Sequence, residues 1–159
     1  MGDKNKSITT KDDAYTVRLH EKQYIWWKTL FDLQRPYRWN LGRLNPGFML
    51  DIGCGIGRNL LHINGNGVGI DHNDASVALA RSKGLNTYTP DKFLKSEFNV
   101  PGRFDSILLA HVAEHMKEDD VMALLKSYIH LLRPQGRIII ITPQELGYRS
   151  DQTHVQFMD

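Results

Sequence analysis

Apolar and polar positions along the chain fall into two different rhythms. From about Asp12 to Gln34 the spacing is helical, with Val17, Ile25, Leu30 and Phe31 set among polar residues, and Pro36 is expected to stop that helix. "RPYRWNLGRLNPG" then reads as a connector. Beyond it the chain alternates short apolar runs with helical stretches. "FMLDIG", "GVGID", "LNTYT", "FDSILLA" and "GRIIIIT" read as strands. "DASVALARSK" reads as a helix capped by Asn73 or Asp74, and "DDVMALLKSYIHLL" as a helix capped by Asp119 or Asp120. In the latter, Val121, Leu124, Leu125, Tyr128 and Leu132 form one stripe, and Pro134 follows its end.

Strands that are apolar at nearly every position belong to parallel sheets covered on both faces by helices. Crossovers of this length are right-handed. The expected fold is α/β, a Rossmann-like doubly wound sheet of at least five strands. A disordered start and helical cap over residues 1–46 precede a core over 47–159. Four consecutive isoleucines would lie near the sheet edge, where a bare apolar strand invites aggregation. A dimer contact, or a C-terminal segment missing from a truncated chain, is expected to cover that strand, and antiparallel strands after it are expected to be missing.

Composition narrows the class without naming a function. The 159 residues suit one domain, 41% are apolar and 24% charged, and the net charge is +2. Charges of both signs are scattered, so no nucleic-acid footprint is expected. A single cysteine, Cys54, excludes an internal disulfide framework and a cysteine zinc cluster. No apolar run reaches the length of a membrane span, and "MGDKNKSITTKDD" has no signal-peptide core, so a cytoplasmic location is expected.

The candidate chemistry lies at the ends of the strands. "LDIGCGIGRNL" follows a strand and opens a helix, so its glycines let the backbone turn tightly and approach a ligand. Gly53-x-Gly55-x-Gly57 is neither the dinucleotide fingerprint nor a P-loop, which argues against phosphate. Asp71 ends the next strand, where an acid accepts hydrogen bonds from ribose hydroxyls and repels a 2′-phosphate. Asp51, inside the glycine turn, would suit a cationic ligand. Together the two acids point to a ribose ligand that is positively charged and carries no phosphate.

A third signal is "AHVAEHM". His111, Glu114 and His115 match His-x-x-Glu-His, the inverted zinc-protease pattern. That reading needs both histidines on one helix, whereas "FDSILLA" runs directly into His111 and puts it at the end of a strand. No metal is therefore expected, and a zinc hydrolase remains a remote alternative.

Four stretches together resemble class I S-adenosylmethionine-dependent methyltransferases of the small-molecule branch: "LDIGCGIGRN", "GVGIDHN", "FDSILLAHVAEHM" and "LLRPQGRIIIITP". They are in the family's order and span about Phe48 to Pro143. The resemblance implies S-adenosylmethionine as cofactor, its demethylated form S-adenosylhomocysteine as product, and a small-molecule or glycan-like acceptor. A non-catalytic cofactor-binding module is the alternative. By position, the family pattern places Asp51, Gly53, Cys54 and Gly55 on the methionine and ribose side. Asp71 falls on the ribose hydroxyls and His72 beside the adenine. Asp91, Lys92 and Phe93 fall at the adenine edge, with Asp91 equally readable as a helix cap. Ala110 and His111 approach the sulfonium. His111 or His115 is a candidate base, and His115 also reads as a packed core residue. Tyr37 and Arg38 are candidate contacts to the methionine carboxylate or the acceptor, and His154 to the acceptor. A packing role for Tyr37 and Arg38 is equally consistent with the sequence.

Overall fold

The computed structural model describes residues 35–142, with side chains from Trp39 onward. Five strands form one sheet: β1 (Met49–Ile52), β2 (Gly67–Ile70), β3 (Thr87–Tyr88), β4 (Phe104–Ala110) and β5 (Leu132–Ile141). Their order is β3-β2-β1-β4-β5 and every pairing is parallel. The helices are α1 (Arg35–Arg43), α2 (Arg58–His62), α3 (Asp74–Ser82), α4 (Pro90–Phe93) and α5 (Glu118–Tyr128), with 3-10 turns at Ala113–His115 and Ile129–Leu131. This is the α/β doubly wound arrangement expected from the alternation of apolar runs. The chain reverses direction across the sheet between β1 and β4, and such a switch point opens a crevice at the carboxyl edge.

Successive residues of a strand face opposite sides of the sheet, so each central strand feeds two cores. Leu50, Ile52, Ile107 and Leu109 pack on one side with Phe93, Phe104 and Val121, against which Leu124, Leu125 and Tyr128 of α5 close. Met49, Leu108 and Ala110 point the other way, to Leu41 of α1, Leu60 of α2 and Ala80 of α3. Helices on both faces thus explain why "FDSILLA" is apolar at almost every position.

Four local expectations are corrected. Pro36 lies in the first turn of α1, where its missing N–H costs nothing, while the helix expected over Asp12–Gln34 lies outside the described residues. The segment read as a connector is therefore largely helical, and it docks through buried Leu41. Neither Asp119 nor Asp120 caps α5. Lys117 holds the cap position, and Glu118, Asp119 and Asp120 occupy the first turn, where their charge favours the positive end of the helix dipole. Asp91 is likewise not a cap, since Thr89 holds that position and Pro90 follows it. Leu132 belongs to β5, not to the helical stripe. The Arg133–Gly136 segment bulges there, because Leu132 pairs with Phe104 while Arg137 pairs with Ser106.

Strand β5 ends the sheet among the described residues. Ile139 and Ile141 pack on the core, while Ile138 and Ile140 are exposed. None of the described helices is long and apolar enough to cross a membrane.

Phe93 joins the two ends of the core, its ring meeting Tyr88 at 6.4 Å and Tyr128 at 6.2 Å, both edge-on. Truncating such a ring leaves a cavity between three elements, and Phe93→Ala is expected to cost about 3–5 kcal/mol. A urea denaturation midpoint unchanged from the parent protein would contradict this packing.

Candidate functional site

At the carboxyl edge of the sheet, three strand ends and one loop converge. The loop after β1 is held down by its own backbone, with Gly53 and Cys54 donating N–H bonds to the Ile70 carbonyl of β2 at 2.8 and 3.1 Å. Gly53 has φ +76° and lies against a methyl of Val112, so a side chain there would be strained and would also clash. This contact places the β1 loop directly against the segment leaving β4. Helix α2 is only five residues long and has no side-chain cap.

Asp71 closes the loop from the other side. One carboxylate oxygen accepts the Gly55 N–H at 2.8 Å and the other accepts the Asn73 N–H at 2.9 Å. Asn73 in turn caps α3 by accepting the Ser76 N–H at 2.9 Å, as its position predicts. Each Asp71 oxygen retains acceptor capacity, because a carboxylate offers about four lone-pair sites. The His72 ring follows, with Nδ1 3.8 Å from Asp71 and nearly half of its side chain exposed.

Asp51 lies beneath the loop, wholly buried. Its two oxygens accept from the Asn59 amide at 3.2 and 3.1 Å, which ties β1 to α2. Burial pushes its carboxyl up to about 7, opposed by the Asn59 hydrogen bonds and reinforced by the charge of Asp71. Cys54 is buried, and burial raises its thiol well above the ordinary range, helped by the nearby charges of Asp51 and Asp71. A thiol held in that form packs against Gly69 as a small apolar group and is a poor nucleophile.

The β4 exit supplies the last edge. Ala110 is buried, and His111 takes the left-handed conformation, φ +58°, which is uncommon outside glycine. Its backbone N–H donates to the Ile141 carbonyl of β5 at 2.8 Å. Its Nδ1 lies 3.3 Å from Glu114 Oε1, and 52% of its side chain is exposed. His115 sits in the following 3-10 turn and lines an open groove of about 540 Å³ with Met116, Lys117, Asp120, Ala123, Leu124 and Ser127. The two histidines are therefore not on one helix face, which is the arrangement the zinc-protease pattern requires. Among the described residues no three His, Cys, Asp or Glu side chains group so as to hold a metal ion.

The structure thus brings Asp51, Gly53, Cys54, Gly55, Asp71, His72, Ala110 and His111 to one edge of the sheet. Asp91 and Lys92 lie on exposed α4, where Lys92 pairs with Asp74 at 3.4 Å. Phe93 is fully buried in the core and presents no surface to a ligand. The side chains of Tyr37 and Arg38, and all of His154, lie outside the described residues. Sequence reasoning missed Asn59 and the structural part played by Glu114. Asn59 stands eight positions after Asp51, on the first turn of α2.

A profile of the methyltransferase-domain family matches residues 32–159. No curated protein matches the chain. Among solved structures, an S-adenosylmethionine-dependent methyltransferase from Archaeoglobus fulgidus aligns with TM-score 0.61 at 22% identity, covering 85% of this chain and 67% of that one. A complex of DhpI with SAM and HEP aligns with TM-score 0.56 at 19% identity, covering 87% and 69%. A structure concerned with converting a disulfide to a thioacetal in echinomycin biosynthesis aligns with TM-score 0.52 at 24% identity, covering 62% and 45%. The chain therefore spans between under half and about two thirds of the length of these structures.

Asp51 generates a testable pH dependence. Its folded value, about 7, is raised above the ordinary 3.8. Between those values the native protein binds a proton that the unfolded chain has released, so this group makes stability fall as pH rises through that window. Asp51→Asn cannot ionise. It is expected to be more stable than the parent at pH 8 by on the order of a few kcal/mol, one pKa unit being about 1.4 kcal/mol. Urea denaturation at pH 5 and pH 8 checks it: equal pH slopes for the two proteins would refute the buried carboxyl.

Proposed function

The chain belongs to the methyltransferase-domain family, and from that premise we propose that it transfers a methyl group from S-adenosylmethionine to a small-molecule or glycan-like acceptor. The observation that carries this reading is the placement of Asp71 at the exit of β2, clasped to the Gly55 N–H of the glycine loop.

The residues fit the cofactor chemically. Asp71 has carboxylate lone pairs left for two adjacent ribose hydroxyls after its two backbone bonds. The half-exposed His72 ring offers a flat face beside that position for an adenine. Gly53 lacks the side chain that would clash with Val112, which lets the loop backbone lie close against the β4 exit. Asp51, when ionised, contributes negative charge from beneath, which favours a cationic ligand and disfavours a phosphate. When bound, the cofactor supplies a methyl carbon already activated by its sulfonium. The protein's part is then chiefly to align the acceptor and exclude water, an orientation effect. Ala110 and His111 stand at the β4 exit, next to the loop that would hold the methionine end.

The buried state of Asp51 adds a refinement. A cation held above the loop would favour the ionised carboxylate, so binding would release a proton near neutral pH. Affinity for S-adenosylmethionine is accordingly expected to rise between about pH 6 and pH 8, and Asp51→Asn to flatten that rise.

Isothermal titration with S-adenosylmethionine and S-adenosylhomocysteine tests the proposal. The folded protein is expected to bind both. Asp71→Ala is expected to weaken binding about ten- to a hundredfold, the range of a lost hydrogen bond to a charged group. Absence of binding by the folded parent protein would sink the reading. Binding without methylation of any hydroxyl, amine or sugar acceptor would assign the chain to a cofactor-binding module instead.

A further inference from the structure

Glu114 is another buried acid at the carboxyl edge. It is 1% exposed, and its Oε2 has no hydrogen-bond partner among the described residues, while its Oε1 faces His111 Nδ1 at 3.3 Å. Burying a carboxylate costs several kcal/mol unless it is fully partnered, and an apolar residue of similar size often serves packing better. The residue it faces is itself unusual. His111 combines a left-handed backbone, a backbone bond to β5 and a side chain that remains half exposed. Strained non-glycine positions of this kind cluster where a side chain must be aimed. Two local costs therefore meet on one imidazole, at the strand end next to the glycine loop.

We propose that Glu114 is a positioning residue that holds His111 in the tautomer protonated at Nδ1, leaving Nε2 as the proton-accepting atom at the carboxyl edge. The hydrogen bond made by one ring nitrogen sets the state of the other. A carboxylate accepts only, so Nδ1 carries the proton and Nε2 carries the lone pair. This inference rests on the methyl-transfer reading and narrows its acceptor class to hydroxyls and amines, nucleophiles that must shed a proton as they gain a methyl group. That proton passes to Nε2, and the imidazolium so formed is stabilised by the Glu114 carboxylate across Nδ1. His115 lines the groove along α5.

Nitrogen NMR of the histidine rings, at a pH where they are neutral, reads the tautomer without any acceptor. In the parent protein His111 is expected to be protonated at Nδ1. Glu114→Leu removes the acceptor at similar volume and is expected to shift the ring toward the Nε2-protonated form. Its thermal midpoint should be equal or higher, since a buried charge is lost. Glu114→Gln keeps an amide carbonyl for Nδ1–H and is expected to retain the parent tautomer. On any acceptor that turns over, Glu114→Leu should lower kcat about ten- to a hundredfold with little change in cofactor affinity, and Glu114→Gln should recover most of the loss. A parent protein protonated at Nε2, or a tautomer unmoved in Glu114→Leu, overturns the proposal. Should Glu114→Leu fail to fold, the parent tautomer still decides. Titration of the same samples with S-adenosylmethionine separates the two ideas: absent binding with the predicted tautomer would refute the methyl-transfer reading and leave the Glu114 assignment standing.

Discussion

The carboxylate of Asp71 holds the carboxyl edge of this protein together. One oxygen pins the glycine loop through Gly55, and the other pins the start of α3 through Asn73. A single side chain thereby sets the distance between the β1 loop and the β2 exit. Without an acceptor at that place, the Gly55 and Asn73 amides would need another partner, and unpaired amides at a half-buried edge are costly. The same two bonds leave the carboxylate oriented, so a ligand that uses its remaining lone pairs meets a fixed group. Structural necessity and binding capacity reside in the same atoms.

Asp51 presents the complementary case. It lies one strand away, under the loop, with its charge opposed by burial and moderated only by the Asn59 amide. As a source of stability it is a poor choice near neutral pH. Cys54, held as a thiol between these acids, fills the gap under Gly69 that a larger residue would force open.

Most of the fold was legible in the sequence, because parallel strands buried on both faces announce themselves as continuous apolar runs. "FDSILLA" coincides with β4, and even the weak "LNTYT" contains the two-residue β3. Asn73 was legible as a cap because a short polar side chain before a helix has one main use. The connector reading of "RPYRWNLGR" misled, since a proline is tolerated in a first helical turn and the sequence does not say where that turn falls. Lys117 at the α5 cap was invisible, because no side chain performs the capping there and three acids in the next turn offered stronger signals. Asp71 was found by its place at a strand end, whereas Asp51, read as part of the glycine turn, lies within β1. Their partners were harder to find: Asn59 acts across a loop and Glu114 through a reversal of the chain, and neither relation follows a strand or helix period.

The pattern "HVAEH" shows why geometry must interpret a motif. Read along the chain, it spaces two histidines and a glutamate as a metal-binding helix would. Folded, its first histidine ends a strand in a left-handed turn, and its glutamate bends back beneath that same ring. The last histidine faces a groove along α5. The chain reversal at His111 is what separates the two histidines and joins the first to Glu114. A helix through these residues would have set His111 and His115 on one face and left the carboxylate beside them. The left-handed turn exchanges the helical face that the motif implies for a pair of acid and imidazole, His111 Nδ1 lying 3.3 Å from Glu114 Oε1.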